Sequence, residues 1–186
     1  MTHRSNHVLA RLAAVAIVAT LTVACTAAPA ASPPPATSGP SAATGGRACP
    51  TAQPEPLAAG ETRAVTITTD LGSMTLTIEA DLSPIAAGNF VSLADCGFYD
   101  GVVFHRVVPA FVIQGGDPTG TGMGGSGQKL KAEFNKEPHT RGAVSMARAQ
   151  SPDSADSQFF ICFDDATFLD KQYTVWGKVV EGMEHV

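Results

Sequence analysis

The sequence predicts a mainly β domain with one helix, arranged as a closed antiparallel barrel or a sandwich. Three observations point there. Residues 63–70 and 73–79 alternate apolar and polar side chains, which is the period of a half-buried strand. Further short apolar segments follow, separated by Gly- and Pro-containing turns, and many short strands with turns between them suit a barrel or a sandwich. The stretch that begins at Ser83-Pro84 carries helix-start chemistry.

Each element has a local reason. In residues 63–70, Val65 and Ile67 share one side; in residues 73–79, Met74, Leu76 and Ile78 do. Asp70-Leu71-Gly72 between them supplies turn chemistry, so the two strands form a hairpin. Ser83 reads as an N-cap and Pro84 as the first helical residue. Ile85, Phe90, Leu93 and Ala94 can share one helical face, and Gly97 stops the helix. Residues 102–108 and 111–114 are β-type, with a bend at Pro109. Seven glycines and Pro118 make residues 115–127 a loop. Residues 143–146, 158–163 and 174–180 complete the strands.

Composition narrows the function. The chain has 186 residues, with 12 Lys and Arg against 17 Asp and Glu, a net charge of −5. One domain suits that length, and the absence of a basic excess argues against a nucleic-acid binder. Four cysteines are too few for a disulfide-dense scaffold. Residues 1–60 hold 8 of the 13 prolines, and their only charges are Arg4, Arg11, Arg47 and Glu55. The foldable part is therefore residues 61–186.

Residues 1–24 read as an export signal. Arg4 and Arg11 precede an uncharged run, Leu12 to Ala24. At ~1.5 Å per residue this run is shorter than a ~30 Å hydrocarbon core, as a signal region should be. The run ends T-V-A-C at Cys25, which resembles the bacterial lipobox, with Thr22 where a large aliphatic residue is usual. Two routes fit: acylation of Cys25, anchoring the chain on the outer face of the cell membrane, or secretion after cleavage at Ala28-Pro29-Ala30. Residues 25–60 are rich in Ala, Pro, Ser, Thr and Gly and read as a disordered tether. Cys162 lies in the apolar run F-F-I-C-F and reads as a buried thiol. Cys49 and Cys96 remain, as a disulfide or as two free thiols. Disulfides persist outside the cytoplasm.

Several motifs carry no chemistry. Gly120–Gly125 formally fits a dinucleotide fingerprint, yet no helical pattern follows it. The five histidines show no metal spacing, so no metal and no cofactor is expected. Asp164-Asp165 reads as a solvated turn.

The informative stretch is F-H-R-V-V-P-A-F-V-I-Q-G-G-D, residues 104–117. It resembles the signature of the cyclophilins, the peptidyl-prolyl cis-trans isomerases. The resemblance continues in order through G-T-G-M-G-G-S-G-Q, G-A-V-S-M-A-R-A, S-Q-F-F-I and F-L-D-K-Q-Y-T-V-W-G-K-V-V-E-G-M, and covers Arg63 to the last residue. It implies a cyclophilin-like closed antiparallel barrel with a flanking helix. It implies a monomeric enzyme that isomerises X-Pro bonds in exported proteins and binds proline-containing polypeptides. The alternative is a groove that binds such peptides without turnover, or an inactive fragment.

The resemblance also implies site roles. Arg106 matches the catalytic arginine, Gln114 the polar residue that holds it, and Phe111 a catalytic-site wall residue. Val112, Phe160 and Leu169 match the rest of the proline pocket. Gln158 matches a second polar contact, and Met146, Ala147, Arg148 and Ala149 match the segment that lines the extended peptide, largely through backbone groups. Arg148 stands where the family commonly has Asn. Phe168 and Tyr173 stand where eukaryotic members carry Trp and His. Phe168 lacks the indole N–H that contacts cyclosporin, so weak cyclosporin binding is expected. The family's second helix and closing strand are not completed after G-M-E-H-V, so a C-terminally incomplete barrel with reduced stability is expected.

Overall fold

The computed structural model describes residues 48–186. The expected export signal, Cys25 and the tether up to residue 47 lie outside the described residues. Seven strands form one antiparallel sheet: β1 (Thr62–Thr69), β2 (Gly72–Glu79), β3 (Arg106–Val108), β4 (Val112–Gly115), β5 (Ala143–Met146), β6 (Phe159–Cys162) and β7 (Val175–Glu181). Among the described residues, a single α-helix, α1 (Pro84–Asp95), and three one-turn 3-10 helices complete the elements. The sheet order is β1-β2-β7-β5-β6-β4-β3. Among the described residues, β1 and β3 are the two edges, so the sheet is open where a closed barrel would join them. A cavity of about 1260 Å³ lies there, lined by β1, Phe90, Phe104, Val107, Ile113 and Phe159 among others.

The β1–β2 hairpin pairs Thr69 with Gly72 across an Asp70-Leu71 turn. Met74, Leu76 and Ile78 are buried on its inner side. They join Phe90 of α1, Phe159 and Trp176 in the larger core. Phe90 lies 4.4 Å from Trp176 and 5.3 Å from Phe159, centroid to centroid, the second pair edge-to-face. Offset and edge-on rings add to the area they bury.

The helix is capped differently from its sequence signal. Ser83 occupies the N-cap position, but its side chain makes no cap hydrogen bond. Its hydroxyl donates instead to the Val175 carbonyl at 2.8 Å. The Glu133 carboxylate accepts from the Ile85 and Ala86 N–H groups, at 3.1 and 2.9 Å. A residue about fifty positions away thus satisfies the orphan donors of the first turn.

Residues 48–60 correct the expected tether at its C-terminal end. Cys49 and Cys96 form a disulfide that ties this segment to the end of α1. Leu57 N–H donates to the Pro84 carbonyl at 3.1 Å, and Gly60 N–H to Asp81 at 2.7 Å. The strap lies close on the helix: a Cβ on Gly88 would sit 2.5 Å from the Glu55 carbonyl oxygen. Composition alone signalled disorder here, but a covalent cross-link and backbone hydrogen bonds hold the segment down. Cys162 is free and fully buried. Burial, and then Asp165 and Asp170, push its thiol up to about 12, so it stays protonated.

Candidate active site

The site begins on the β3–β4 hairpin. Val108 to Phe111 close a turn with a 3.0 Å hydrogen bond, and Ala110 takes a φ of 58°. Proline followed by a left-handed residue is type II turn geometry. The turn sets Phe111 beside the cross-strand pair Arg106 and Gln114. Arg106 Nη1 donates to Gln114 Oε1 at 3.5 Å, and its guanidinium carbon lies 5.9 Å from the centre of the Phe111 ring.

A directed chain of amides stands behind that arginine. Gln158 Nε2 donates to the carbonyls of Gly122 and Gly124, at 3.0 and 2.8 Å. Its Oε1 therefore faces Gln114 and accepts from Gln114 Nε2 at 3.0 Å. That leaves Gln114 Oε1 to face the guanidinium. Carbonyls only accept, so the loop fixes the orientation of both amides and the final acceptor at Arg106.

Two buried carboxylates shape the loop. Asp117 accepts from the N–H groups of Thr119, Thr121, Gly122 and Gly124, and from both threonine hydroxyls. Burial opposes its ionisation, yet the hydrogen bonds from Thr119, Gly124 and Gly122 hold it well below the usual carboxylate range. Asp156 accepts from Ser126 and Gly127, and Lys129 pairs with it at 3.2 Å. Glycine is required where the loop meets these groups. A Cβ on Gly124 would lie 2.1 Å from Asp117 Oδ1, and one on Gly125 2.7 Å from the Asp156 carboxyl carbon. The N–H groups of this loop bind the protein's own carboxylates, which explains a glycine pattern that only formally fits phosphate binding.

Beside Arg106 a cavity of about 260 Å³ opens. Phe111, Val112, Gln114, Ala147, Arg148, Phe160, Leu169 and Tyr173 line it with Arg106. Phe160 meets Tyr173 edge-to-face at 5.7 Å. Behind Phe160 lies His139, fully buried and stacked parallel to it at 5.9 Å. Its Nδ1 is 3.0 Å from Asp170 Oδ1 and its Nε2 3.2 Å from Ser145 Oγ. The His139 backbone N–H, and then its side chain, hold Asp170 below the ordinary carboxylate range.

Nine of the expected site residues thus border one cavity. Gln158 stands one hydrogen bond behind it, and exposed Phe168 stacks on Phe111 at 5.5 Å. The Met146 side chain is 2% exposed and belongs to the larger core, so only its backbone is left for a peptide. It pairs with Phe159 in the register, and side chains alternate along a strand, so Ser145 rather than Met146 faces the cavity side. Ala149 does not border the cavity; its N–H donates to Ser154 Oγ and its carbonyl accepts from Arg148 Nη1. The sequence reading missed His139, Ser145 and Asp170, which no spacing joins. It also gave Asp117 no role, although Asp-Pro-Thr is turn chemistry in which the aspartate binds backbone N–H groups. Among the described residues, no group of three His, Cys, Asp or Glu is placed to hold a metal ion.

The family model described as cyclophilin type peptidyl-prolyl cis-trans isomerase/CLD matches residues 64–186. The chain belongs to this family. Among curated cyclophilin relatives, a probable peptidyl-prolyl cis-trans isomerase of Brucella abortus is 49% identical over 127 residues, covering 62% of this chain. A peptidyl-prolyl cis-trans isomerase of Helicobacter pylori is 47% identical over 121 residues, covering 64%. The chain spans 65% of the length of the Brucella relative and 74% of the Helicobacter one. A crystal structure of a Cryptosporidium parvum cyclophilin matches with a TM-score of 0.64 at 35% identity, covering 67% of this chain and 82% of that one. A second structure of the same protein, determined in the presence of the dipeptide Ala-Pro, matches with a TM-score of 0.63.

Proposed function

We propose that the chain is a peptidyl-prolyl cis-trans isomerase acting on X-Pro segments of exported polypeptides. The observation that carries this reading is the Arg106 guanidinium, held by a neutral amide, beside a cavity with Phe111, Val112, Phe160 and Leu169 in its wall. Amide resonance sets a barrier of ~18–20 kcal/mol to rotation about the X-Pro bond. When the amide twists, the prolyl nitrogen regains a lone pair and accepts a hydrogen bond. A fixed guanidinium donating to that nitrogen favours the twisted state over both planar forms. Phe111, Val112, Phe160 and Leu169 hold the proline ring and exclude water, which strengthens the donor. Gln114 and Gln158 aim it. No bond is made or broken, so the residues need only bind, orient and donate.

The Cryptosporidium cyclophilin structure determined in the presence of the dipeptide Ala-Pro supports proline-containing peptides as the ligand class. Export is supported by Arg4, Arg11 and the apolar run up to Ala24, and by the Cys49–Cys96 disulfide, since such bonds persist outside the cytoplasm. In this reading, acylation at Cys25 anchors the domain to the outer face of the membrane. Cyclosporin binds weakly, because Phe168 offers no N–H donor; a nanomolar Kd would contradict this. Exchange NMR on an X-Pro peptide tests the activity. Catalytic amounts of the chain should speed cis-trans exchange, whereas shift changes without acceleration would identify a binding module instead.

A further inference from the structure

We infer that Arg148 makes the groove selective for prolyl segments with carboxylates beside the proline. The inference rests on the isomerase reading of the cavity and adds a substrate class to it. The nine residues that border the cavity include two guanidiniums, Arg106 and Arg148, and no carboxylate. Among the described residues, neither guanidinium forms an ion pair: the recorded pairs involve Arg63, Lys129, His139 and His185.

Arg148 is also fixed in place. Its Nε and Nη2 donate to the Gln172 carbonyl, at 3.1 and 3.0 Å. Its Nη1 donates to the carbonyls of Ala149 and Gln150, at 3.0 and 3.1 Å. The guanidinium carbon lies 4.6 Å from the centre of the Tyr173 ring. Every one of these partners is neutral, so they orient the cation without cancelling its charge. A pre-ordered side chain loses little freedom when a ligand binds.

Three carboxylates on the flanking segments are committed elsewhere. Asp170 accepts from His139 behind the Phe160 wall. Asp153 accepts from the Ala132 N–H, and Asp165 from the Arg141 N–H. The chain as a whole carries a charge of −5, which opposes an acidic ligand at long range. At physiological ionic strength such fields fade beyond about 8 Å, so the two cations at the cavity dominate for a bound peptide.

An ion pair at the rim does not change as the amide twists. It therefore lowers KM and leaves kcat alone. The test uses the purified full chain and three peptides with Glu, Gln or Lys on both sides of proline, each rate referred to its own uncatalysed exchange. In low salt, kcat/KM should be about three- to tenfold higher for the Glu peptide than for the Lys peptide, as expected for exposed ion pairs. The difference should reside in KM and shrink at high salt. Arg148→Gln should bring the ratio toward one, Arg148→Lys should keep it, and Arg141→Gln should leave it unchanged. Equal KM values for the Glu and Lys peptides, or a ratio indifferent to salt, would overturn the inference even if Arg148→Gln fails to fold. A Gln peptide that is not accelerated at all would instead defeat the isomerase reading. In that case the charge preference would still be read from the peptides' dissociation constants.

Discussion

Strand β6 feeds two different clusters with alternate residues. Phe159 and Ile161 enter the larger core with Trp176 and Phe90. Phe160 and Cys162 enter a smaller one with Val112, Ala143 and Ala166. The first packs aromatic rings against the α1 helix and also borders the larger cavity between β1 and β3. The second has buried His139 and Ser145 beside it, and it opens through Phe111, Leu169 and Tyr173 onto the cavity beside Arg106. One strand thus stabilises the domain through one face and shapes the site through the other. Stability and activity should separate accordingly.

The strongest way to break that division is to attack the larger core. Trp176→Ala should cost about 3–5 kcal/mol, as large aromatic truncations do, against a total of about 5–15 kcal/mol for a typical domain. Urea unfolding would show it, and a smaller loss than that of Phe160→Ala would contradict the division. Reducing the Cys49–Cys96 bond should come next. Its partners are 47 residues apart, and the chain-entropy model assigns such a loop about 4 kcal/mol at most in practice. The melting temperature should fall in reductant while the Arg106 site keeps its activity in whatever fraction stays folded.

A cut through the amide chain should have the opposite signature. Gln158→Ala removes the link between the loop carbonyls and Gln114, leaving the acceptor at Arg106 free to turn away. The account expects about a tenfold loss in kcat/KM with a small change in melting temperature, since net hydrogen bonds contribute only about 1 kcal/mol each. An unchanged kcat/KM would show that the amides do not aim the arginine.

The mildest perturbation is pH. Asp156 and Asp170 lie below their ordinary value of 3.8 in the folded chain, and Asp117 is held lower as well. For Asp156 and Asp117 burial works against this, but hydrogen bonds outweigh it. A lowered folded value means that these groups add stability above the unfolded value, near 4, and that the contribution fades as pH falls through the folded values. Melting temperatures should be flat from pH 7 to 5 and drop below about pH 4. Asp156→Asn should lower stability at neutral pH and flatten the acid drop; a parallel shift at all pH values would refute the role of ionisation.

Much of this was legible in residues. The alternation in residues 63–79 gave both strands of the first hairpin, and the blocks around Arg106, Met146 and Phe160 located the site. The block around Met146 identified a segment but not the side of the strand each side chain takes; a shift of one residue exchanges the two clusters. The strap at residues 48–60 was hidden because its composition is that of a tether, while its order comes from Cys96 and the helix. The cap from Glu133 and the burial of His139 depend on residues far away in sequence, which no local pattern encodes.

The central claim is that Arg106, aimed by Gln114, speeds rotation of a prolyl amide held in the cavity beside Phe111 and Phe160. The most direct measurement compares wild type with Arg106→Ala in a protease-coupled X-Pro assay, after circular dichroism has shown that both are folded with similar melting temperatures. The account predicts a loss of about a hundredfold or more in kcat/KM, the usual effect of removing a donor aimed at the transition state. Equal rates for the two folded proteins would contradict it.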